Sequence, residues 1–352
     1  VIPLAAINQL AAVYRGRGRN EAYLEFAQEH FLDWLRLEGL FEDDAVVLKG
    51  GTAIRKFVLG NEGRFSTDLD FVVADPIYAD HILERLGQRL THEGVTFVLD
   101  KYDAAARKGT WHAETAEHGS SLPASLDFSS RPLLLPATYP ERARIPGIER
   151  RFLGFEPASP PVADLLETVA EKLSRFRRTM LGRDVYDLAT VARRIDDRLA
   201  LLREILCFKA YFDRVEEGRD TLPVPFTGGD EFVGRDPDLV IGSDYLGLLV
   251  RDRTDVALLL ETISAIYGHP GEPVGDTEAR LAALEEQGVD SRALNEWPAH
   301  ARRFHGRSSS ASRWVGRTAR KWRWSSVATF DSPRRSASAT TLASTIPSAR
   351  SA

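Results

Sequence analysis

The sequence predicts an α/β (α+β) protein in which a mixed-sheet domain is followed by a helical one. Short runs of strand character, Val46–Leu48 and Asp68–Val73 foremost, are interleaved with helical segments over the first part of the chain. Beyond Pro160-Pro161 nearly every segment repeats its apolar residues three and four apart. Element by element, Leu24, Ala27, Phe31, Trp34 and Leu35 place a long amphipathic helix over 21–38. It leads through Gly39 to the first core strand, which Gly50-Gly51-Thr52 breaks to open a short helix running to Leu59. A turn at 61–63 precedes the strand over 68–73, and a helix is expected over 78–93. Further strands are expected over 96–100, around 110–114 and over 124–128, before Pro132, Pro136, Pro140 and Pro146 mark irregular connections. Helices then follow over 162–178, 184–195, 197–215, 254–267 and 277–287, with a Gly- and Pro-rich loop over about 218–242. The expected organisation is a catalytic domain over 1–155, a helical domain over 156–290 and a tail over 291–352.

Composition narrows the chemistry. At 352 residues, 43% hydrophobic and 28% charged, the chain has enough apolar surface for ordinary cores without covalent staples. A single cysteine, Cys207, excludes an internal disulfide and a multi-thiolate zinc site, and its place between Leu206 and Phe208 reads as packing. No stretch is long enough to span a bilayer, so the expectation is a cytoplasmic protein without a membrane role. The net charge of -5 hides an asymmetry: arginines crowd the chain from Arg302 to Arg350 against only Asp331, leaving the remainder acidic. From about Ser308 onward Ser, Ala, Thr and Arg dominate, with Trp314, Trp322 and Trp324 interspersed, and the segment reads as a poorly ordered tail. Basic residues with aromatics suit RNA, and a solvated extension is the plain alternative.

The chemistry centres on the second strand. Alternation along a strand puts Asp68 and Asp70 on one face and Leu69, Phe71 and Val73 on the other, in the core. Neighbouring carboxylates repel one another unless a cation neutralises them, so the pair is a candidate site for Mg2+. In the strand over 124–128, Leu126 and Phe128 face one way and Asp127 the other, offering a third carboxylate or simply an exposed strand-end acid. Gly50, Gly51 and Thr52 stand where a strand passes into a helix, a place where backbone N–H groups can approach a phosphate. Ser66 shares the face of Asp68, and Arg64 precedes it. Histidines show no ligand spacing and no nucleophile elbow appears.

In combination, Lys49-Gly50-Gly51-Thr52-Ala53-Ile54-Arg55-Lys56 and Arg64-Phe65-Ser66-Thr67-Asp68-Leu69-Asp70-Phe71 resemble the leading motif of nucleotidyltransferase toxins of the AbiEii/AbiGii (MenT-like) type, within the DNA polymerase β-like superfamily. The resemblance continues in Glu171-Lys172-Leu173 and in Arg183-Asp184-Val185-Tyr186-Asp187-Leu188, and so covers roughly residues 46–190. It implies a polymerase β-like catalytic domain in which Asp68 and Asp70 hold metal, Lys172 contacts the nucleotide phosphates and Asp187 is needed for activity. Independently, Lys172 falls in register with Leu165, Val169 and Phe176, at the edge of an apolar face, as a lysine with an anionic partner or as one snorkelling from the core. Asp184 reads as the N-cap of its helix, and Asp187 as a first-turn carboxylate or a site residue.

The expected activity is metal-dependent transfer from a nucleoside triphosphate, with Gly50, Gly51, Thr52, Arg64, Ser66 and Lys172 around the nucleotide and Asp127 as a third metal ligand. By resemblance, the acceptor is the 3′ end of tRNA, translation is blocked, and a cognate antitoxin is the partner. The alternatives are transfer to a protein or small-molecule hydroxyl, and a non-catalytic nucleotide- or RNA-binding module.

Overall fold

In the computed structural model the described residues are 2–13, 18–131, 133–143, 147–195, 198–199, 201–203, 205–206, 209, 232–246 and 254–268. Cys207, the helix expected over 277–287, most of that over 197–215 and the tail from 291 lie outside them.

One mixed sheet organises the first part of the chain. It is built from β1 (Val46–Lys49), β2 (Leu69–Val73), β3 (Leu90–His92), β4 (Val95–Asp103), β5 (Lys108–Thr115), β6 (Gly119–Ser120) and β7 (Ala124–Ser129). The strand order is β1-β2-β7-β5-β4-β3, with β6 beside β5; β2 and β7 run parallel, while the other pairs are antiparallel. Two N-terminal helices, α1 (Leu4–Val13) and α2 (Arg19–Leu37), pack with α4 (Pro76–Gly87), α5 (Gly147–Leu153) and the sheet into one core. At its centre Phe31 stacks on Trp111, with ring centroids 5.5 Å apart, and meets Phe97 edge-on at 5.4 Å. On β2 and β7, Phe71 and Phe128 are register partners whose rings stack at 5.7 Å, so the apolar alternation read from the sequence is the one that the sheet adopts.

The second core forms around α6 (Leu165–Phe176), α7 (Gly182–Val191) and α8 (Val256–Tyr267). Asp164 caps α6 by accepting from Leu166 N at 2.9 Å, and Asp255 caps α8 by accepting from Ala257 N at 3.0 Å. This core reaches the sheet in two ways. Residues 161–163 bond to the free edge of β1, Leu48 N donating to Pro161 O and Ala163 N to Leu48 O, both at 2.9 Å. The turn after β1 enters the helical core as well: α3 (Gly50–Ala53) widens into π-helical turns over Ile54–Leu59, and Ile54 and Leu59 pack among the α6 and α7 residues.

Two expectations are corrected. The helix expected over 78–93 ends at Gly87, because Leu90–His92 turns back as a strand against β4. Its apolar Leu90 suits either structure, and the tight Glu93-Gly94 turn, with φ 49 and 77, decides for the hairpin. Asp184 is not an N-cap: α7 begins at Gly182 behind Leu181, which makes no side-chain cap bond, and Asp184 is fully buried within the first turn.

Buried charge also knits the first core. Glu29, which water does not reach, accepts from Lys56 Nζ at 2.8 Å and pairs with Arg142 at 2.7 Å. Burial alone would raise its pKa, but Arg142 and Lys56 outweigh it and hold the group at about 2. The contribution of Glu29 is therefore fully present above pH ~4.5, its ordinary value, and is lost as pH falls towards 2. Replacing Glu29 with Gln leaves two buried cations short of a partner, and we expect a loss of about 3–5 kcal/mol in denaturant unfolding at pH 7, shrinking as the pH is lowered towards 2. A loss independent of pH would show that packing, not charge, is what the residue supplies.

Candidate active site

The site is set by strand register. Asp70 stands opposite Asp127 across the parallel β2–β7 pair and opposite Lys49 across β1–β2. Residues directly opposite share a sheet face, so Asp70 and Asp127 project together, away from the stacked phenylalanines. Asp68 lies one residue before β2 begins and opens on the same cleft. The cleft has a volume of about 520 Å³ and is walled by Gly51, Arg64, Ser66 and Lys172 on one side and by β4, β5 and β7 on the other.

Each approach to it is built by short local contacts. Gly50 adopts φ +78, and a Cβ there would meet Asp70 Oδ2 at 2.1 Å, so backbone conformation and carboxylate both require glycine. At Gly51 a Cβ would stand 2.8 Å from Ser66 Oγ and 2.7 Å from an Arg64 nitrogen. The segment carrying Ser66 and Asp68 is held from behind: Gln28 Nε2 on α2 donates to Ser66 O at 2.9 Å, and the Thr52 hydroxyl donates to Asp68 O. Of the three residues expected at the phosphates, Gly51 lines the cleft; Gly50 makes room for Asp70, and Thr52 positions Asp68.

A layer of basic residues faces the carboxylates. Lys172, buried on α6, contacts Asp184 at 2.7 Å and Asp187 at 3.0 Å. Arg64 forms a two-pronged pair with Asp187, Nε to Oδ1 at 3.0 Å and Nη2 to Oδ2 at 2.8 Å. Arg175 holds Asp184 at 2.6 Å. Enclosure would raise the pKa of Asp184, but Lys172 and Arg175 drive it far below the usual carboxylate range. The lysine expected at the edge of an apolar face thus has its anionic partners, and they are the two aspartates of the α7 motif. Arg183, just ahead of Asp184, reaches across to Asp68 at 2.7 Å, and Lys108 reaches Asp127 at 2.6 Å.

Asp70 is the exception. Among the described residues its carboxylate has no hydrogen bond or ion pair. Removal from water, together with Asp68 and Asp127 nearby, outweighs the attraction of Lys49 and Lys172 and pushes its pKa up to about 6. No set of three His, Cys, Asp or Glu side chains closes into a metal cage among the described residues.

Sequence reasoning named Asp68, Asp70, Asp127, Lys172, Arg64, Ser66 and Gly51, and the fold gathers all of them around this cleft. It missed Arg175, Lys101 and Lys108. Arg175 follows Lys172 by one helical step, a spacing visible beforehand; Lys101 and Lys108 depend on strand pairing, which a sequence alone does not give.

Carboxylates on one wall, with glycine backbone and buried cations on the other, form a site for handling phosphate esters, in which a protein positions reactants and neutralises charge. The comparisons narrow this class. Residues 35–325 match the family model described as nucleotidyl transferase AbiEii toxin, type IV TA system. The chain is similar to the structure of MenT4, a nucleotidyltransferase toxin from Mycobacterium tuberculosis H37Rv, at 30% identity and a TM-score of 0.72, covering 85% of this chain and 99% of that one. It also matches the Helicobacter pylori protein JHP933 at 18% identity and a TM-score of 0.40, over 77% of this chain and 97% of that one. A search of curated proteins finds no match. The chain belongs to the AbiEii family and is a nucleotidyltransferase toxin of a type IV toxin–antitoxin system.

An acid whose pKa rises on folding opposes folding once it ionises. The penalty from Asp70 is absent below its ordinary value near pH 4 and complete above about pH 6. In chelator at pH 8, Asp70→Asn is expected to raise the unfolding free energy by roughly 1–2 kcal/mol, a gain that fades towards pH 4. Equal or lower stability of the variant at pH 8 would contradict the reading of Asp70 as an uncompensated charge.

Proposed function

We propose that this toxin transfers nucleotides from a nucleoside triphosphate to the 3′ end of tRNA with the aid of Mg2+, and so blocks translation until an antitoxin neutralises it. The observation that carries the proposal is Asp70, a carboxylate without an ion pair among the described residues, set between two others on the wall of a cleft whose opposite wall is cationic. Its oxygens, with those of Asp68, are the hard donors that magnesium prefers. Magnesium is commonly held by one or two carboxylates plus substrate phosphates, so a closed protein cage is not required. Asp68 and Asp70 would hold the ion, with Asp127 beside them; when bound, it neutralises phosphate charge and polarises the phosphorus under attack.

The other residues act on the nucleotide. An ammonium has three N–H donors, and Lys172 directs two at Asp184 and Asp187, leaving the third for a phosphate oxygen. Asp184 and Asp187, fixed in turn by Arg175 and Arg64, hold that ammonium in place at the edge of the cleft. Gly51 and Ser66 line the same side and offer an N–H and a hydroxyl to the triphosphate. The segment through residue 155 supplies the carboxylates, and the helical segment from 156 supplies the lysine wall. Attack by the acceptor hydroxyl on the α-phosphorus then breaks the bond to the β-phosphate, and pyrophosphate leaves.

The test is to incubate the protein and Mg2+ with each α-labelled nucleoside triphosphate and with separated pools of RNA, protein and small molecules. Label is expected in the tRNA fraction, and Asp70→Ala and Lys172→Ala are each expected to lower incorporation by at least about 100-fold. Label entering protein or a small molecule instead would redirect the acceptor, and undiminished labelling by Asp70→Ala would reject the site.

A further inference from the structure

The face of the sheet that carries the carboxylates does not stop at them. Beyond β7 it continues across β5 and β4. Asp127 is paired in register with Lys108, and Ser125 with Thr110, which is paired in turn with Lys101. Register partners share a face, so Lys101, Lys108, Thr110 and Ser125 stand on the same side as Asp127, and all four line the cleft. A register shift between Leu99 and Lys101 lies just before Lys101, a device that re-aims the side chains beyond it. Both lysines are exposed. Lys101 has no ion-pair partner among the described residues, and Lys108 holds only Asp127, one of the proposed metal ligands.

The two walls of the cleft therefore differ in kind. The side of Gly51, Ser66 and Lys172 is enclosed and rigidly ion-paired, which suits a compact triphosphate. Across the carboxylates, the β4–β5–β7 side is open, with two exposed ammonium groups and two hydroxyls over adjacent strands about 4.8 Å apart. In phosphoryl transfer the attacking and leaving oxygens lie roughly in line on opposite sides of the phosphorus. With pyrophosphate on the Lys172 side, the attacking hydroxyl comes from the β5 side.

We infer that Lys101 and Lys108, with the Thr110 and Ser125 hydroxyls, bind the sugar–phosphate backbone of the acceptor strand. This rests on the proposed transfer to RNA and adds which wall of the cleft receives it. The ligand chemistry is a single-stranded phosphodiester end, read by charge and hydroxyl contact and not by base identity.

The test compares full-length wild type with Lys101→Ala, Lys108→Ala, Lys108→Arg and the double alanine variant. Affinities for unfractionated tRNA and for nucleoside triphosphate with Mg2+ are measured separately, the former across a salt series. Each alanine change is expected to weaken tRNA binding about threefold to tenfold and to reduce the slope of log affinity against log salt by about 1, with triphosphate affinity unchanged in Lys101→Ala and not weakened in Lys108→Ala, which frees Asp127. Lys108→Arg retains the charge and is expected to restore both tRNA readouts. Unchanged tRNA affinity and salt slope in the double variant would overturn the inference, as would weakened triphosphate binding with tRNA binding intact. Wild type that neither binds nor labels tRNA would instead reject the RNA acceptor itself, an outcome separable from failure of the lysine assignment.

Discussion

Repulsion among Asp68, Asp70 and Asp127 is the constraint around which the rest of the molecule is arranged. Parallel pairing of β2 with β7 brings Asp70 and Asp127 side by side, and the stacked Phe71 and Phe128 on the reverse face lock that register. A one-residue slip would exchange acid for phenylalanine and destroy both the core and the site. Two of the carboxylates are compensated by cations from the cleft walls, Arg183 and Lys108. The third has no ion pair among the described residues, and burial, with the two acids beside it, raises its pKa. A site that tolerates such a penalty is stabilised by a cation when one is supplied, which is how an enzyme keeps affinity for a metal and its nucleotide at some cost in the stability of the free protein.

The helical segment is tied to the sheet by this same chemistry. Arg64, from the loop before β2, grips Asp187 on α7; Lys172 on α6 joins Asp184 and Asp187; Arg183 returns to Asp68. The Arg64–Asp187 and Arg183–Asp68 pairs cross from the loop before β2 to α7, and the Lys172 pairs join α6 to α7 within the helical core. Buried pairs of this kind add little net stability compared with apolar packing, but they fix geometry, because removing one member leaves a charge without compensation. Positioning Lys172 for the phosphate contact proposed for it is a use for that rigidity.

Much of this was legible beforehand. Strand alternation around Asp68-Leu69-Asp70-Phe71 and Leu126-Asp127-Phe128 announced which side chains face the core and which face the chemistry, and the sheet obeys it. The helical register of Lys172 with Leu165, Val169 and Phe176 left it either paired with anions or snorkelling from the core, and its contacts with Asp184 and Asp187 decide for the former. What could not be read was the identity of its partners. Asp184 reads as a capping residue, and only the actual start of α7 at Gly182 places it within the first turn, against Lys172 and Arg175. The contributions of Lys101 and Lys108 were equally hidden, since they arise from pairing between strands distant from β2 in sequence. The hairpin at Leu90 escapes a reading of periodicity because a single apolar residue among polar ones suits helix and strand alike until the turn after it is taken into account.

The central claim is that Asp70 awaits a divalent cation, and proton release on metal binding tests it most directly. Binding of Mg2+ with a non-hydrolysable triphosphate is measured by calorimetry at pH 6 and pH 8 in buffers of differing ionisation enthalpy. Asp70→Asn serves as the reference for the nucleotide's own protons. With a pKa of about 6, wild type is expected to release about half a proton more than the variant at pH 6 and no more than it at pH 8, and to bind the metal more tightly at both. Identical proton counts and metal affinities for wild type and Asp70→Asn would contradict the account.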